Sequence, residues 1–221
     1  MQRTIIAELL DDDLGTATEI ADALADLRLI NAWFGGTRTT INLLRQVVRT
    51  IGCRQLSLLE IGAGTGSVPL AARNALAREG VTLDVTLLDR LASHLPVNVA
   101  ASVAGDALRL PFSDHAFDVV SCSLFAHHFA PDAVRLFASE ALRVCRRAVL
   151  INDLIRSRIH LSLVYLGLPV FRSRITWHDA PASVRQAYTV HEMQDLLSPL
   201  PVQRIEIRRN YLYRMGVLLW K

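Results

Sequence analysis

The sequence predicts an α/β fold: a doubly wound, mostly parallel sheet that ends in an antiparallel hairpin and is preceded by helices. Three observations predict it. Short apolar segments alternate with segments of helical periodicity between residues 56 and 152, the pattern of a parallel sheet with helices on both faces. The first apolar segment, Leu56–Glu60, breaks into the glycine-rich turn Gly62-Ala-Gly-Thr-Gly66 ahead of a helix. That order marks a nucleotide-type cofactor site. Two long, partly alternating strands, 202–209 and 212–220, flank Asn210-Tyr211 and read as a hairpin on the sheet edge.

The elements follow in order. Ile20, Leu24, Leu27, Ile30 and Phe34 have the spacing of an amphipathic helix over 17–34, ended by Gly35-Gly36. A second helix covers Thr39–Thr50 and stops at Gly52. Leu56–Glu60 is the first strand, and Val68–Glu79 a helix stopped by Gly80. Thr82–Leu88 is the second strand, ending at Asp89, and a short third strand, Asn98–Ala104, leads into Gly105-Asp106. Phe117–Ser123 is the fourth strand, Ala133–Cys145 a helix and Ala148–Asn152 the fifth strand. Residues 153–201 then hold an apolar helix, Ile159–Phe171, a polar stretch, Thr176–Ala182, and a helix opened by the capping box Thr189-x-x-Glu192. An insert of that length after a strand's carboxyl end sits where open α/β sheets bind ligands.

A chain of 221 residues is long enough for one domain with a proper core. It divides into an N-terminal helical lid (1–52), a cofactor core (53–154), a substrate-side helical insert (155–201) and the hairpin (202–221). Hydrophobic residues make up 51% of the chain but never run uninterrupted for the roughly 18 residues of a membrane helix. Acidic residues at 11–13 do not suit a signal peptide, and the chain reads as cytoplasmic. A net charge of +3 comes from scattered arginines instead of the dense basic stripe with aromatic interleaving of a nucleic-acid binder. Cys53, Cys122 and Cys145 are odd in number and widely spaced, which suits reduced thiols and not a zinc site or disulfides.

Three acids stand at strand ends: Glu60 before the glycines, Asp89 after the second strand, Asp106 after the third. A carboxylate after the second strand can accept both hydroxyl hydrogens of a ribose. An Asp after the third can accept from an adenine amine, and Glu60 would lie near a cationic ammonium. Together they describe a ligand with a ribose, an adenine and a positive amino-acid end, without phosphate. Asp89 also suits a helix N-cap, and Asp106 a plain turn acid. The rival cofactor, NAD, expects G-x-G-x-x-G, whereas the spacing here is G-x-G-x-G behind a glutamate that would repel a pyrophosphate.

These residues resemble the class I S-adenosylmethionine-dependent methyltransferases, in the small-molecule group that includes ubiquinone and menaquinone methylases. The resemblance rests on Glu60-Ile-Gly-Ala-Gly-Thr-Gly66, Leu87-Leu-Asp89, Gly105-Asp-Ala-Leu-Arg-Leu-Pro-Phe112 and the segment Phe117–His128. It spans about residues 56–155, and the terminal hairpin fits the family's reversed last strand. It implies a Rossmann-like fold and S-adenosyl-L-methionine as cofactor. Glu60, Ile61, Gly62, Ala63, Gly64 and Gly66 would surround the methionyl part. Asp89 would hold the ribose, and Asp106 with Ala107 the adenine; Arg90 and Gly105 also count as cofactor-binding residues. Ser121 and Ser123, near the tip of the fourth strand, would line the path to the substrate.

Methyl transfer from a sulfonium is an in-line displacement that depends on alignment. An oxygen nucleophile also benefits from a base. His127 and His128, beyond the fourth strand, and Asp153, after the fifth, are the candidate catalytic residues; packing and helix capping are their structural alternatives. Methyl transfer needs no metal, and no metal cluster is visible in the sequence. His178, Asp179, Arg185 and Tyr188 could line a pocket, and Asn31 and Trp33 lie where the N-terminal helices would cover it. Segment Ile159–Phe171 suits a lid over a lipophilic substrate, a peripheral membrane contact or plain core. Sparse polar residues in the substrate half favour a small lipophilic or aromatic acceptor, methylated on oxygen before carbon. The alternatives are a non-catalytic cofactor-binding protein and an RNA methyltransferase. Oligomeric state is not legible.

Overall fold

The computed structural model describes residues 1–221. Two helices come first, α1 (Ala17–Trp33) and α2 (Gly36–Ile51). The core follows as β1 (Gln55–Ile61), α3 (Ser67–Ala77), β2 (Thr82–Asp89), β3 (Ala101–Ala104), β4 (Phe117–Ser123), α4 (Pro131–Val144) and β5 (Cys145–Leu154). Three helices, α5 (Arg158–Gly167), α6 (Arg174–Gln186) and α7 (Val190–Leu197), lead to β6 (Arg204–Asn210) and β7 (Arg214–Trp220). The seven strands form one sheet in the order β3-β2-β1-β4-β5-β7-β6. The first five pair in parallel, and β7 runs antiparallel to both β5 and β6.

Period-two alternation divides the apolar residues between two cores. Leu56 and Leu58 of β1, Leu150 of β5 and Leu218 of β7 pack under α2 and α3, against Leu44, Val47 and Leu76. Leu59 and Ile61, Val149 and Ile151, and Val217 and Leu219 face the other way, against Phe137 of α4 and Met193 and Leu197 of α7. Helices therefore cover both faces and leave the strands' carboxyl ends open. No helix is long and apolar enough to cross a membrane.

Several elements differ from the sequence expectation. Phe34 ends α1, and Gly35, at φ 80°, is the link into α2, which starts at Gly36. The polar stretch 176–182 is the middle of α6, which is buried on more than one side, at Ile175 and Ala182 and again at Val184, and whose start is capped by the Ser173 side chain accepting from Ile175 N–H. The hairpin strand begins at Arg214, since Leu212 and Tyr213 both take left-handed backbone conformations in the turn. The apolar stripe of α1 does not enter either core: Leu24, Leu27, Ile30 and Phe34 line a cavity instead. The same holds for α5, whose Leu163, Val164 and Leu166 line that cavity, while Ile159 stands exposed outside it.

Candidate active site

The open ends of the strands meet α1, α5, α6 and the first thirteen residues around a cavity of about 640 Å³. This lies near the middle of the roughly 300–1,000 Å³ range of small-molecule sites. Half of its lining residues are hydrophobic. Its floor is the turn after β1. Gly62 and Gly64 both have positive φ, 63° and 48°, conformations that favour glycine. A Cβ on Gly62 would lie 2.3 Å from the Phe125 ring, whereas one on Gly64 would meet nothing within 4 Å. Gly64 thus presents bare backbone to open space.

Asp89 ties this turn to β2. Gly64 N–H donates to its Oδ2 at 2.7 Å and Leu91 N–H to its Oδ1 at 3.0 Å. Each oxygen keeps a lone pair for a further donor. Gly105 N–H donates to the Asp89 carbonyl at 3.0 Å, and Asp106 Oδ1 accepts from Leu108 N–H at 2.9 Å. Asp106 and the buried Ala107 line the cavity beyond Asp89.

Glu60 lines the cavity but is only 1% exposed. The Ser121 hydroxyl donates to its Oε2. Burial pushes its carboxyl up to about 7, against the donors Ser121 and Ser123. From Ser123 a polar chain crosses the sheet edge. Ser123 Oγ lies 3.3 Å from Thr40 Oγ1, and Asn152 Nδ2 donates to Thr40 Oγ1 and to the Gly36 carbonyl, both at 2.8 Å. Beside it Arg214, also 1% exposed, donates through Nη2 to Asn31 Oδ1 at 3.2 Å, while its Nη1 has no partner. Burial pulls its pKa down to about 10. A buried acid and a buried guanidinium therefore line one cavity, neither in a salt bridge within the chain. Uncompensated buried charge is costly, so the pair suits a ligand that carries both signs.

Elsewhere around the cavity, five side chains from distant parts of the chain converge. His127 is buried; its Nδ1 lies 2.6 Å from Asp153 Oδ1, and its N–H donates to Asp153 Oδ2 at 2.9 Å. Its Nε2 lies 3.4 Å from Glu8 Oε1, out of line for a hydrogen bond, and has no partner. The His128 ring stacks on it at 4.2 Å and its Nδ1 lies 2.8 Å from Asp11 Oδ2. Burial works against the charged form of His127, but the Asp153 and Glu8 carboxylates outweigh it and lift its pKa to about 10. Its environment thus favours holding a proton, contrary to its reading as a free base. Asp153 is held low by His127 despite its own burial.

Of the residues named from the sequence, Glu60, Gly62, Ala63, Gly64, Asp89, Arg90, Gly105, Asp106, Ala107, Ser123, His127 and His128 line the cavity. Ile61, Gly66, Ser121 and Asp153 lie behind it. Ile61 belongs to the core, Gly66 packs on Leu87, Ser121 serves Glu60, and Asp153 is enclosed by His127 and Leu154 N–H. Arg90 lines the rim, but its Nη2 lies 2.8 Å from Asp12 Oδ1 of the N-terminal segment. Asn31 is buried beside Arg214, whereas Trp33 is exposed. Asp179 lines the cavity and accepts from Leu9 and Leu10 N–H, while Tyr188 is buried and donates to the Phe129 carbonyl. Sequence reasoning missed Glu8, Asp11 and Arg214. An arginine at the head of the apolar strand Arg214–Trp220 was a signal for Arg214; nothing local marks Glu8.

Residues 59–151 match the sequence profile of the methyltransferase domain family. They form a class I S-adenosylmethionine-dependent methyltransferase domain. Over 107 residues, 46% of the chain, the sequence is 32% identical to the uncharacterized methyltransferase YcgJ of Bacillus subtilis (strain 168). That match covers 41% of the relative's own length. The methyltransferase fold extends over nearly the whole chain. The plantazolicin methyltransferase BamL, solved with a triazolic desmethylPZN analog and SAH, superposes with a TM-score of 0.73 at 12% identity, covering 96% of this chain and 94% of its own. Human N-acetylserotonin methyltransferase with SAM gives 0.60 at 12% identity, covering 92% and 56%. At such identities the likeness is one of fold.

Proposed function

We propose that the chain is an S-adenosylmethionine-dependent methyltransferase acting on a small, lipophilic or aromatic acceptor, on oxygen in preference to carbon. The observation that carries this reading is that Glu60 and Arg214, both buried and neither in a salt bridge, line the same cavity as the bare backbone of Gly64. When bound, the cofactor supplies a sulfonium methyl for in-line displacement. Glu60 would receive its ammonium, and Arg214 Nη1 its carboxylate. Gly64 allows close backbone approach, Asp89 accepts from the ribose hydroxyls, and Asp106 with Ala107 receives the adenine.

Leu27, Phe34, Leu124, Phe125 and Phe171 give the remaining wall an apolar character that excludes water and suits a lipophilic acceptor. Glu8, His127 and His128 supply the polar end of this wall. An acceptor hydroxyl would find hydrogen-bond partners there, which a carbon nucleophile does not need; this favours oxygen. Arg143, Arg146 and Arg156 pair with Glu140, Asp118 and Glu192 within the fold.

The test is transfer of labelled methyl from the cofactor to a panel of phenols and hydroxylated lipophilic aromatics by the purified chain. Methylated product on oxygen is expected. Cofactor binding without product across the panel, RNA included, would favour a non-catalytic binding protein.

A further inference from the structure

We propose that Glu8, His127 and His128 form a binding site for one divalent transition-metal ion of the zinc class, with an open coordination position facing the apolar half of the cavity. The three residues offer ligand atoms that all lie within 4.8 Å of one another. Glu8 and His127 are buried and His128 is nearly so. Ligands about 2.0–2.1 Å from a tetrahedral metal stand about 3.3–3.4 Å apart. Glu8 Oε1 and His127 Nε2 stand 3.4 Å apart, too far out of line to bond each other. The buried Nε2 thus faces Glu8 across the cluster without a well-formed hydrogen bond.

The surroundings are those of a metal centre as well. Metal-bound imidazoles hold a carboxylate on the other ring nitrogen, which fixes the ring and raises its basicity. Asp153 holds Nδ1 of His127 at 2.6 Å, and Asp11 holds Nδ1 of His128 at 2.8 Å. Glu8 is fixed in turn, its Oε1 accepting from Ser183 Oγ at 2.7 Å and Gln186 Nε2 at 2.5 Å, so an ion would displace one of these donors or take Oε2. Two imidazoles and one carboxylate suit zinc or a neighbouring transition metal and not magnesium or calcium, which take oxygen ligands. Three protein ligands with a fourth position open is the pattern of zinc sites that act on a substrate. The open position would take a hydroxyl oxygen of the acceptor and polarise it. That role rests on the function proposed above; the binding itself does not.

A proton on His127, shared between two carboxylates, is the competing occupant of the same space. Titrating untagged, chelator-treated full-length chain with Co²⁺ separates the two. One Co²⁺ per chain is expected, with the intense visible absorption of a four- or five-coordinate site, displaced by Zn²⁺. Glu8→Gln and His127→Gln should each weaken it by at least about tenfold, roughly 1.4 kcal/mol, while His191→Gln, at an exposed position, leaves it intact. Binding of S-adenosylhomocysteine, measured on the same samples, reports whether each variant is folded. Wild-type chain that binds S-adenosylhomocysteine but leaves Co²⁺ as the aquo ion overturns the proposal, as does Co²⁺ binding unchanged in both folded variants. Co²⁺ binding without S-adenosylhomocysteine binding would count against the proposed function and leave the metal site standing.

Discussion

The two halves of the cavity are built in opposite ways. The floor under Gly64 comes from consecutive strand tips: residues 60–67, 89–91 and 105–107. The roof comes from pieces far apart in the chain. Glu8 meets His127, Asp11 meets His128, and Asp26 accepts from the N–H groups of Arg172 and Ser173. A floor made of adjacent backbone groups recognises a fixed ligand. A roof assembled from helices and a terminal segment can change its acceptor by exchanging side chains without disturbing the sheet. Substitutions in the floor should therefore alter cofactor binding, and those in the roof acceptor binding.

The largest expected effect is on stability. Glu60 has a folded-state pKa near 7, above the ordinary 4.5, so the folded chain binds more protons than the unfolded one between those values. Stability must then fall as pH rises through that window, by about 3 kcal/mol. Glu60→Gln should remove the slope, and denaturant melts from pH 4.5 to 8 would detect it. A parallel slope in the variant would assign the loss to other groups. Next in size is Asp89→Ala, which releases Gly64 and Leu91 N–H. Cofactor affinity should fall about 100-fold, roughly 2.7 kcal/mol, by calorimetry. A loss of only a few-fold would mean that the turn is held without Asp89.

In the roof, Leu163→Ser trims the wall at a partly exposed site. It should raise the acceptor KM about tenfold through lost apolar contact and leave cofactor Kd unchanged. A change in cofactor Kd instead would erase the division between the halves. Arg90→Ala should do least. Its partner is Asp12, and both side chains are largely exposed, so the pair contributes under about 1 kcal/mol. Cofactor affinity that drops tenfold would restore Arg90 to the cofactor site.

The same contrast explains what was legible in the sequence. Strand alternation and the glycine turn are local signals, so the sheet, the hairpin and the acids Glu60, Asp89 and Asp106 could be read directly. Convergence of Glu8 on His127, 119 residues later, has no local signature, and neither does the burial of Arg214 under α1. Helices α1 and α5 misled for a related reason. Their apolar stripes satisfy the periodicity of core packing, yet they face a cavity, and periodicity does not distinguish a core from a lipophilic pocket. Asp153 was read as a site acid because it follows a strand, but its carboxylate is enclosed by the backbone and ring of His127.

The most direct test of the central claim, that buried Glu60 receives the cationic end of the cofactor, is calorimetry of S-adenosylhomocysteine binding near pH 7 in buffers of different ionisation heat. An ammonium beside Glu60 favours the carboxylate and lowers its pKa. The predicted result is proton release of a fraction of a proton per chain, with affinity rising as pH increases toward 7 and levelling above it, and no such release in Glu60→Gln. Binding of equal strength in wild type and Glu60→Gln, with the same proton release, would contradict it.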